Sequence, residues 1–190
     1  MTVRVAGELR PGDVGRIVEL HGTLYASEWG YDCTFESYVA EPLARFVRTR
    51  TPRERLWLVE EGERLVGCLA IVRVTDEEAQ LRWVLLHPSL RGRGLGRRLL
   101  AEAIAFCRDC AYRRIVLWTV SHLPAAAHLY AACGFRVVEE KPGQMGGKTV
   151  TEQRYVLELA EAREAAGGAE MEGWGALRAP LTEEPFPLPR

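Results

Sequence analysis

The spacing of apolar positions changes several times along the chain, and each change marks an element. Residues 3–7 (VRVAG) read as a short strand. Pro11-Gly12-Asp13 then opens a helix whose apolar positions Val14, Ile17, Val18, Leu20 and Leu24 keep helical spacing. A second helical face, Phe35, Tyr38, Val39, Leu43 and Phe46, runs from about Thr34 to Val47, with Pro42 placed to kink or divide it. Two strand-like runs, 56–61 and 64–74, flank the tight Glu61-Gly62-Glu63 turn and predict a hairpin. After the acidic turn at 76–78, residues 79–87 predict a third antiparallel strand, halted by Pro88.

The second half alternates differently. A helix from about Gly94 to Tyr112 carries Leu95, Leu99, Ala103, Phe106, Cys107 and Cys110 on one face and Arg97, Arg98, Glu102 and Asp109 on the other. The unbroken apolar run 114–120 predicts a buried strand. Ser121 or His122 is placed to cap, and Pro124 to start, a short helix that stops at Gly134. Residues 135–140 and 153–159 are the closing strands, with no element assigned between them. The sum is an α+β domain around one mixed sheet.

Composition adds limits. With 190 residues the chain suits one domain, and the pattern ends near residue 160. Residues 1–160 are therefore expected to form the domain and 161–190 a Pro/Gly-rich tail without a core of its own, where four of the ten prolines fall between Pro180 and Pro189. Trp174, Leu177 and Phe186 are the tail residues available to dock on the domain or on a sister subunit. Balanced charge, 25 basic against 26 acidic side chains, excludes a broad nucleic-acid surface but not a local basic patch. No apolar run approaches the roughly 18 residues of a membrane span, and the opening lacks the build of a secretory signal, so a cytoplasmic protein with no membrane partner is expected. Five scattered cysteines predict reduced, mostly buried thiols, and Cys107-x-x-Cys110 lacks the second pair or nearby His that a metal site would need.

The stretch from His87 to Arg98 (HPSLRGRGLGRR) concentrates glycines and arginines where a strand hands over to a helix. Glycines 92, 94 and 96 let the backbone approach a ligand, the helix start presents unpaired N–H groups, and Arg91, Arg93, Arg97 and Arg98 add positive charge, a combination suited to a pyrophosphate. The dinucleotide fingerprint G-x-G-x-x-G fails, since its last position would be Arg97 or Leu99, and no Gly-Lys-Ser/Thr is present for a Walker loop. By itself such a loop could equally be a plain solvent turn.

Arg91-x-x-Gly94-x-Gly96, after a strand ending at Pro88, resembles the acetyl-CoA signature (Gln/Arg-x-x-Gly-x-Gly/Ala) of the GNAT superfamily of N-acetyltransferases. Ala126 to Phe135 (AAHLYAACGF) is similar to that family's A-x-x-L-Y-x-x-x-G-F element, and the resemblance covers about residues 3–159. The stretches from His21 to Glu36 and Leu117-Trp118-Thr119 also resemble acetyltransferase domains fused to MarR-type regulators, although no such DNA-binding half is present in these residues. The resemblance implies a mixed, mostly antiparallel sheet with flanking helices and a V-shaped splay between the fourth and fifth strands.

It also implies roles. Acetyl-CoA would lie in the splay, with backbone groups near Leu85 and Leu86 along the pantetheine arm, one amide N–H polarising the thioester carbonyl. Amides of Arg91, Gly92, Arg93, Gly94, Leu95, Gly96 and Arg97 would hold the pyrophosphate, and His122 stands where similar sequences place a cofactor-contacting Asn. Tyr130 matches the general acid that protonates the leaving thiolate; its alternative reading is a core aromatic. The base is open, because the strand glutamate of many relatives is absent and only Gln80, Arg82 and His87 are polar between 79 and 87. His87, Glu28 and Glu36 are the candidates. Tyr25, Trp29, Tyr31 and Phe35 would wall the acceptor site, or else simply pack two helices together, while Glu28, Asp32 and Glu36 suggest an acidic mouth for a cationic acceptor. The expected activity is N-acetylation of a small-molecule primary amine. The alternatives are a protein N-terminal or lysine acetyltransferase and a non-catalytic acyl-CoA sensor. A homodimer is left open.

Overall fold

The computed structural model describes residues 3–159. In chain order these form β1 (Val3–Ala6), α1 (Asp13–Trp29), α2 (Thr34–Thr49), β2 (Arg55–Glu61), β3 (Arg64–Arg73), β4 (Glu78–Leu86), a single 3₁₀ turn at Pro88–Leu90, α3 (Leu95–Asp109), β5 (Arg114–Val120), α4 (Pro124–Ala132), β6 (Arg136–Met145) and β7 (Lys148–Glu158). The strands build one sheet in the order β1-β2-β3-β4-β5-β7-β6, antiparallel except for the β4–β5 pair. Apolar side chains cover both faces. Leu99, Leu100, Ala103 and Cys107 of α3 pack on one core with Ile71, Ile115 and Leu117, and Ile17, Val39, Leu43 and Phe46 of α1 and α2 pack on the other with Leu56, Leu58 and Trp83.

One strand feeds both cores by breaking its own alternation. In β4 the register against β3 shifts, so that Cys68 faces Leu85 while Ala70 faces Arg82, and Trp83 takes φ 50°. That is a β-bulge, one residue too many on β4. Ala79 and Leu81 therefore lie in the α3 core, whereas Trp83 and Leu85, which strict alternation would place beside them, lie in the α1–α2 core. The Trp83 carbonyl in the bulge accepts a contact from the Cys68 thiol at 3.1 Å.

Several expectations are corrected. α2 runs unbroken through Pro42, because its apolar face continues on both sides of the proline into one core. The cap of α4 is Leu123, with no side-chain bond to the helix; neither Ser121 nor His122 serves. All five thiols are free, but only Cys68 and Cys107 are buried, and Cys33 is exposed at the α1–α2 connection. β6 and β7 extend through the stretch left without structure and meet in a two-residue turn, Gly146 and Gly147, with φ of 56° and 73°. Such turns need left-handed residues at both positions, which glycine supplies. Residues 161–190, including Trp174, Leu177 and Phe186, lie outside the described residues.

Near β1, Asp13 and Glu60 are buried among Arg4, Arg10 and Arg16. Asp13 accepts from the Arg10 amide at 2.7 Å and pairs with Arg16; Glu60 pairs with Arg4 at 2.7 Å and with Arg10. Burial alone would push both carboxyls up, but these donors more than offset it and hold Asp13 below 3.8 and Glu60 below 4.5. A depressed folded pKa gives stability that is full above the unfolded value and lost as pH falls through the folded one. The melting temperature is thus expected to drop by roughly 5 °C or more between about pH 5 and pH 3. Glu60→Gln, already without that charge, should show a smaller drop in the same calorimetric scan.

Candidate active site

β4 and β5 are paired only at Glu78–Arg114, Ala79–Ile115 and Gln80–Val116; beyond that the two strands part, and β5 stays joined to β7 along its full length. The bulge at Trp83 bends β4 away at this point, so from Leu81 onward its β5-facing edge has no ladder partner. A cavity of about 110 Å³ opens there. β4 contributes Gln80 to Val84, β5 contributes Trp118 to Val120, and α4 contributes Ala126 and Tyr130. Its far wall is His21, Tyr25, Phe35, Tyr38 and Val39 from α1 and α2, with Met145 and Glu152 from the β6–β7 hairpin.

Below the splay, the loop after β4 delivers the start of α3. Gly92 and Gly94 have φ of 72° and 74°, Gly94 is the helix N-cap, and no side chain caps the helix. The first-turn amides of Leu95, Gly96 and Arg97 are consequently without intrahelical acceptors and face a positive dipole end. An open strand edge leading to uncapped amides in an arginine-bearing loop fits a thioester on a long amide-containing arm with a pyrophosphate at its end.

Tyr130 is 5% exposed, and its ring packs on Phe135 and Tyr155 at centroid distances of 6.0 and 5.7 Å. Its hydroxyl makes no hydrogen bond with other described residues. Burial pushes the phenol above its usual value, with Tyr155 adding to the effect, so the group keeps its proton. His21 donates from Nδ1 to the Ile17 carbonyl at 2.8 Å, and burial pulls it down to about 4, leaving a neutral ring. Such a ring is a weak acceptor of an ammonium proton.

The expected site residues separate into groups. Tyr25, Phe35 and Tyr130 line the cavity. Trp29 and Tyr31 stand behind Tyr25, at centroid distances of 4.7 and 5.4 Å, and Tyr31 is hydrogen-bonded to His122 Nε2 at 3.2 Å. Leu85 turns its side chain into the α1–α2 core and Leu86 packs toward α3, so neither side chain enters the cavity. The three candidate bases lie off the cavity wall. Glu28 is held by both Arg91 guanidinium nitrogens at 2.7 and 2.8 Å, while Arg91 Nε donates to the Leu86 carbonyl at 3.0 Å. Glu36 lies over Gly22, where a Cβ would come within 2.5 Å of its Oε1. His87 accepts from the Ser89 amide at 3.3 Å and contacts Arg64 at 3.1 Å. Asp32 is exposed and accepts from the Thr34 amide at 3.0 Å, just before α2. Two of the three acids expected at the mouth, Glu28 and Asp32, thus bind Arg91 and the Thr34 amide.

The cavity also holds Glu152, Arg82 and Tyr38, which the sequence pattern does not mark as site residues. Glu152 lies between the two closing strands that the pattern predicts. The Gly146-Gly147 pair is the signal that places it, because it extends a period-two strand in which Val150 and Glu152 share the inward face.

Comparison with known proteins agrees with this geometry. The model of the acetyltransferase (GNAT) family matches residues 20–135. An uncharacterized N-acetyltransferase of Schizosaccharomyces pombe is 30% identical over 118 residues, 60% of this chain and 72% of that protein. An acetyltransferase of Streptococcus agalactiae superposes with TM-score 0.69 at 21% identity, covering 83% of this chain and 98% of that one. Spermidine N-acetyltransferase of Vibrio cholerae, solved with CoA and spermine, gives TM-score 0.62 at 20% identity over 84% of this chain and 96% of its own.

Proposed function

The chain belongs to the acetyltransferase (GNAT) family, and from that premise we propose that it moves an acetyl group from acetyl-CoA directly to the primary amine of a small molecule. It is an acetyl-CoA-dependent N-acetyltransferase. Acetyl-CoA supplies an acetyl group already activated as a thioester. The uncapped amides of Leu95 to Arg97 and the loop arginines would hold its pyrophosphate, and the unpaired edge of β4 near Leu85 and Leu86 would take its amide-containing arm.

Tyr130 carries the reading. It is a protonated phenol, without a hydrogen-bond partner among the described residues, in the wall of the cavity at the strand splay. From there it would protonate the departing sulfur. The same burial that raises the phenol also makes an unprotonated thiolate costly, so proton transfer and C–S cleavage favour each other. A direct transfer needs both substrates in one site, and the cavity has a separate aromatic wall for the acceptor.

The division of the chain at residue 160, a cytoplasmic location, the subgroup likeness to MarR-fused acetyltransferase domains and a homodimer belong to this proposal as well. No helix of the described residues is long and apolar enough to cross a membrane. The test is thiol release from acetyl-CoA with a panel of amino acids, monoamines, polyamines, aminoglycosides and peptides. At least one small amine should raise the rate well above hydrolysis, with the N-acetylated product seen by mass spectrometry. Tight acetyl-CoA binding with no amine-stimulated release would instead make the protein a sensor.

A further inference from the structure

Resting on the amine-transfer reading, we propose that the acceptor is a zwitterion of the α-amino-acid class, seated with its carboxylate on Arg82 and its ammonium on Glu152, and that Glu152 removes the proton that frees the amine. The cavity wall holds one anion and one cation that do not meet. Glu152 on β7 is 4% exposed, and its Oε1 is buried without a hydrogen-bond partner. Its other oxygen stands 3.8 Å from Lys141 Nζ, whose ammonium lies 4.4 Å from the centre of the Trp118 ring. Across the hairpin, a Cβ at Gly143 would overlap Oε1, so the glycine is what leaves that oxygen its place.

Arg82, on β4, forms no ion pair with any described carboxylate. Its one side-chain hydrogen bond is a long one to Gln80 Oε1, 3.5 Å. Tyr38 of α2 is within electrostatic reach of both charges, since Arg82 draws its phenol down and Glu152 pushes it up, after burial as the main cause of its raised value. A buried carboxylate oxygen without a hydrogen bond is expensive, and Glu152 Oε1 is one, while the partly buried Arg82 guanidinium has only its contact with the Trp83 ring, 5.2 Å to the centroid, and the long bond to Gln80. Together they form a site suited to a ligand with both signs. An amine without a carboxylate would satisfy Glu152 and leave Arg82 bare. A polyamine would add positive charge beside it.

The chemistry balances. Glu152 accepts one proton from the acceptor's ammonium; the freed nitrogen forms the C–N bond as the C–S bond breaks. Tyr130 gives its phenolic proton to the departing sulfur, which keeps the bonding pair, and recovers the second nitrogen proton. Glu152 then releases its proton to solvent, so ammonium and acetyl thioester become amide, thiol and one proton. Burial raises the Glu152 carboxyl, Lys141 opposes and Glu139 adds, and these groups with Tyr38 are the charged or titratable ones that act on it. A carboxylate so raised is better matched to an amine than an ordinary one.

The experiment measures kcat/KM on the intact protein for common L-amino acids, for the amines left when their carboxylate is removed, and for spermidine. An amino acid should exceed its decarboxylated amine by about a hundredfold. Arg82→Gln should erase that preference by raising the amino-acid KM more than that of the plain amine. Glu152→Gln should lower kcat about a hundredfold and remove the acidic limb of its pH profile. If plain amines or spermidine match the amino acids in the unaltered protein, the zwitterion assignment is overturned while amine transfer stands; this holds whether or not the variants fold. If Glu152→Gln keeps both rate and acidic limb, Glu152 is not the base. If nothing in this panel is acetylated but an aminoglycoside or peptide is, the inference fails and amine transfer stands; if no amine of either panel is acetylated, the amine-transfer reading fails and takes this inference with it.

Discussion

Tyr130→Phe lowers kcat about a hundredfold and leaves the acetyl-CoA Kd within a factor of about two. The substitution is clean because the ring is held by packing on Phe135 and Tyr155, contacts that phenylalanine keeps, while the hydroxyl has no partner among the described residues to orphan. Only the proton source disappears. Steady-state kinetics with a competent acceptor gives kcat, and titration calorimetry gives Kd. A rate equal to that of the unaltered protein would return Tyr130 to the core and leave the thiolate to water. A loss confined to Kd would make it a binding residue instead.

Gly146→Ala has the largest expected effect on stability, about 2–4 kcal/mol, with a melting temperature lower by roughly 5–15 °C. Two penalties meet at this position. Its φ of 56° is left-handed, and an added Cβ would stand 2.5 Å from Tyr31 Cδ2. Tyr31 has little room to retreat, being buried and hydrogen-bonded to His122, while the Gly146 carbonyl accepts the Asp32 amide at 3.0 Å. Lys148 also donates to the Trp29 carbonyl at 2.5 Å, so the whole tip is fastened to the α1–α2 connection. Gly62→Ala is the control. It has φ 64° and open space around its Cβ, so it suffers only the conformational penalty, about 1–2 kcal/mol. Equal melting temperatures for the two variants would show that the tip does not bear on Tyr31.

Most elements from β1 to α4 were readable because their apolar positions repeat at a helical or strand period and their ends carry glycine or proline, as at Pro88, Pro124 and Gly134. Alternation failed at β4. Residues 79, 81, 83 and 85 share a parity and would share a face, but the bulge sends the first two to one core and the last two to the other. β6 was cut short for a different reason: it is a largely exposed edge strand, and neither Lys141 nor Gln144 marks an inward side. The Gly/Arg loop before α3 is legible because glycine spacing is a local property. The proposed acceptor pair is not, since Glu152 and Arg82 are separated by 70 residues and meet one cavity only through sheet order. Ion pairing depends on the fold in the same way: Glu28 pairs with Arg91, 63 residues away along the chain.

β7 is the last strand of the described fold, yet it lies inside the sheet, between β5 and β6. During synthesis or refolding, β5 has only its three-residue seam with β4 until residues 148–158 arrive. For that interval, a strand of Ile, Val, Leu and Trp offers an open edge on which another chain could template. β7 therefore protects its neighbour as well as carrying Glu152. Weakening it would appear first as poor recovery of soluble protein during folding, ahead of any change in the molecules that reach the native state.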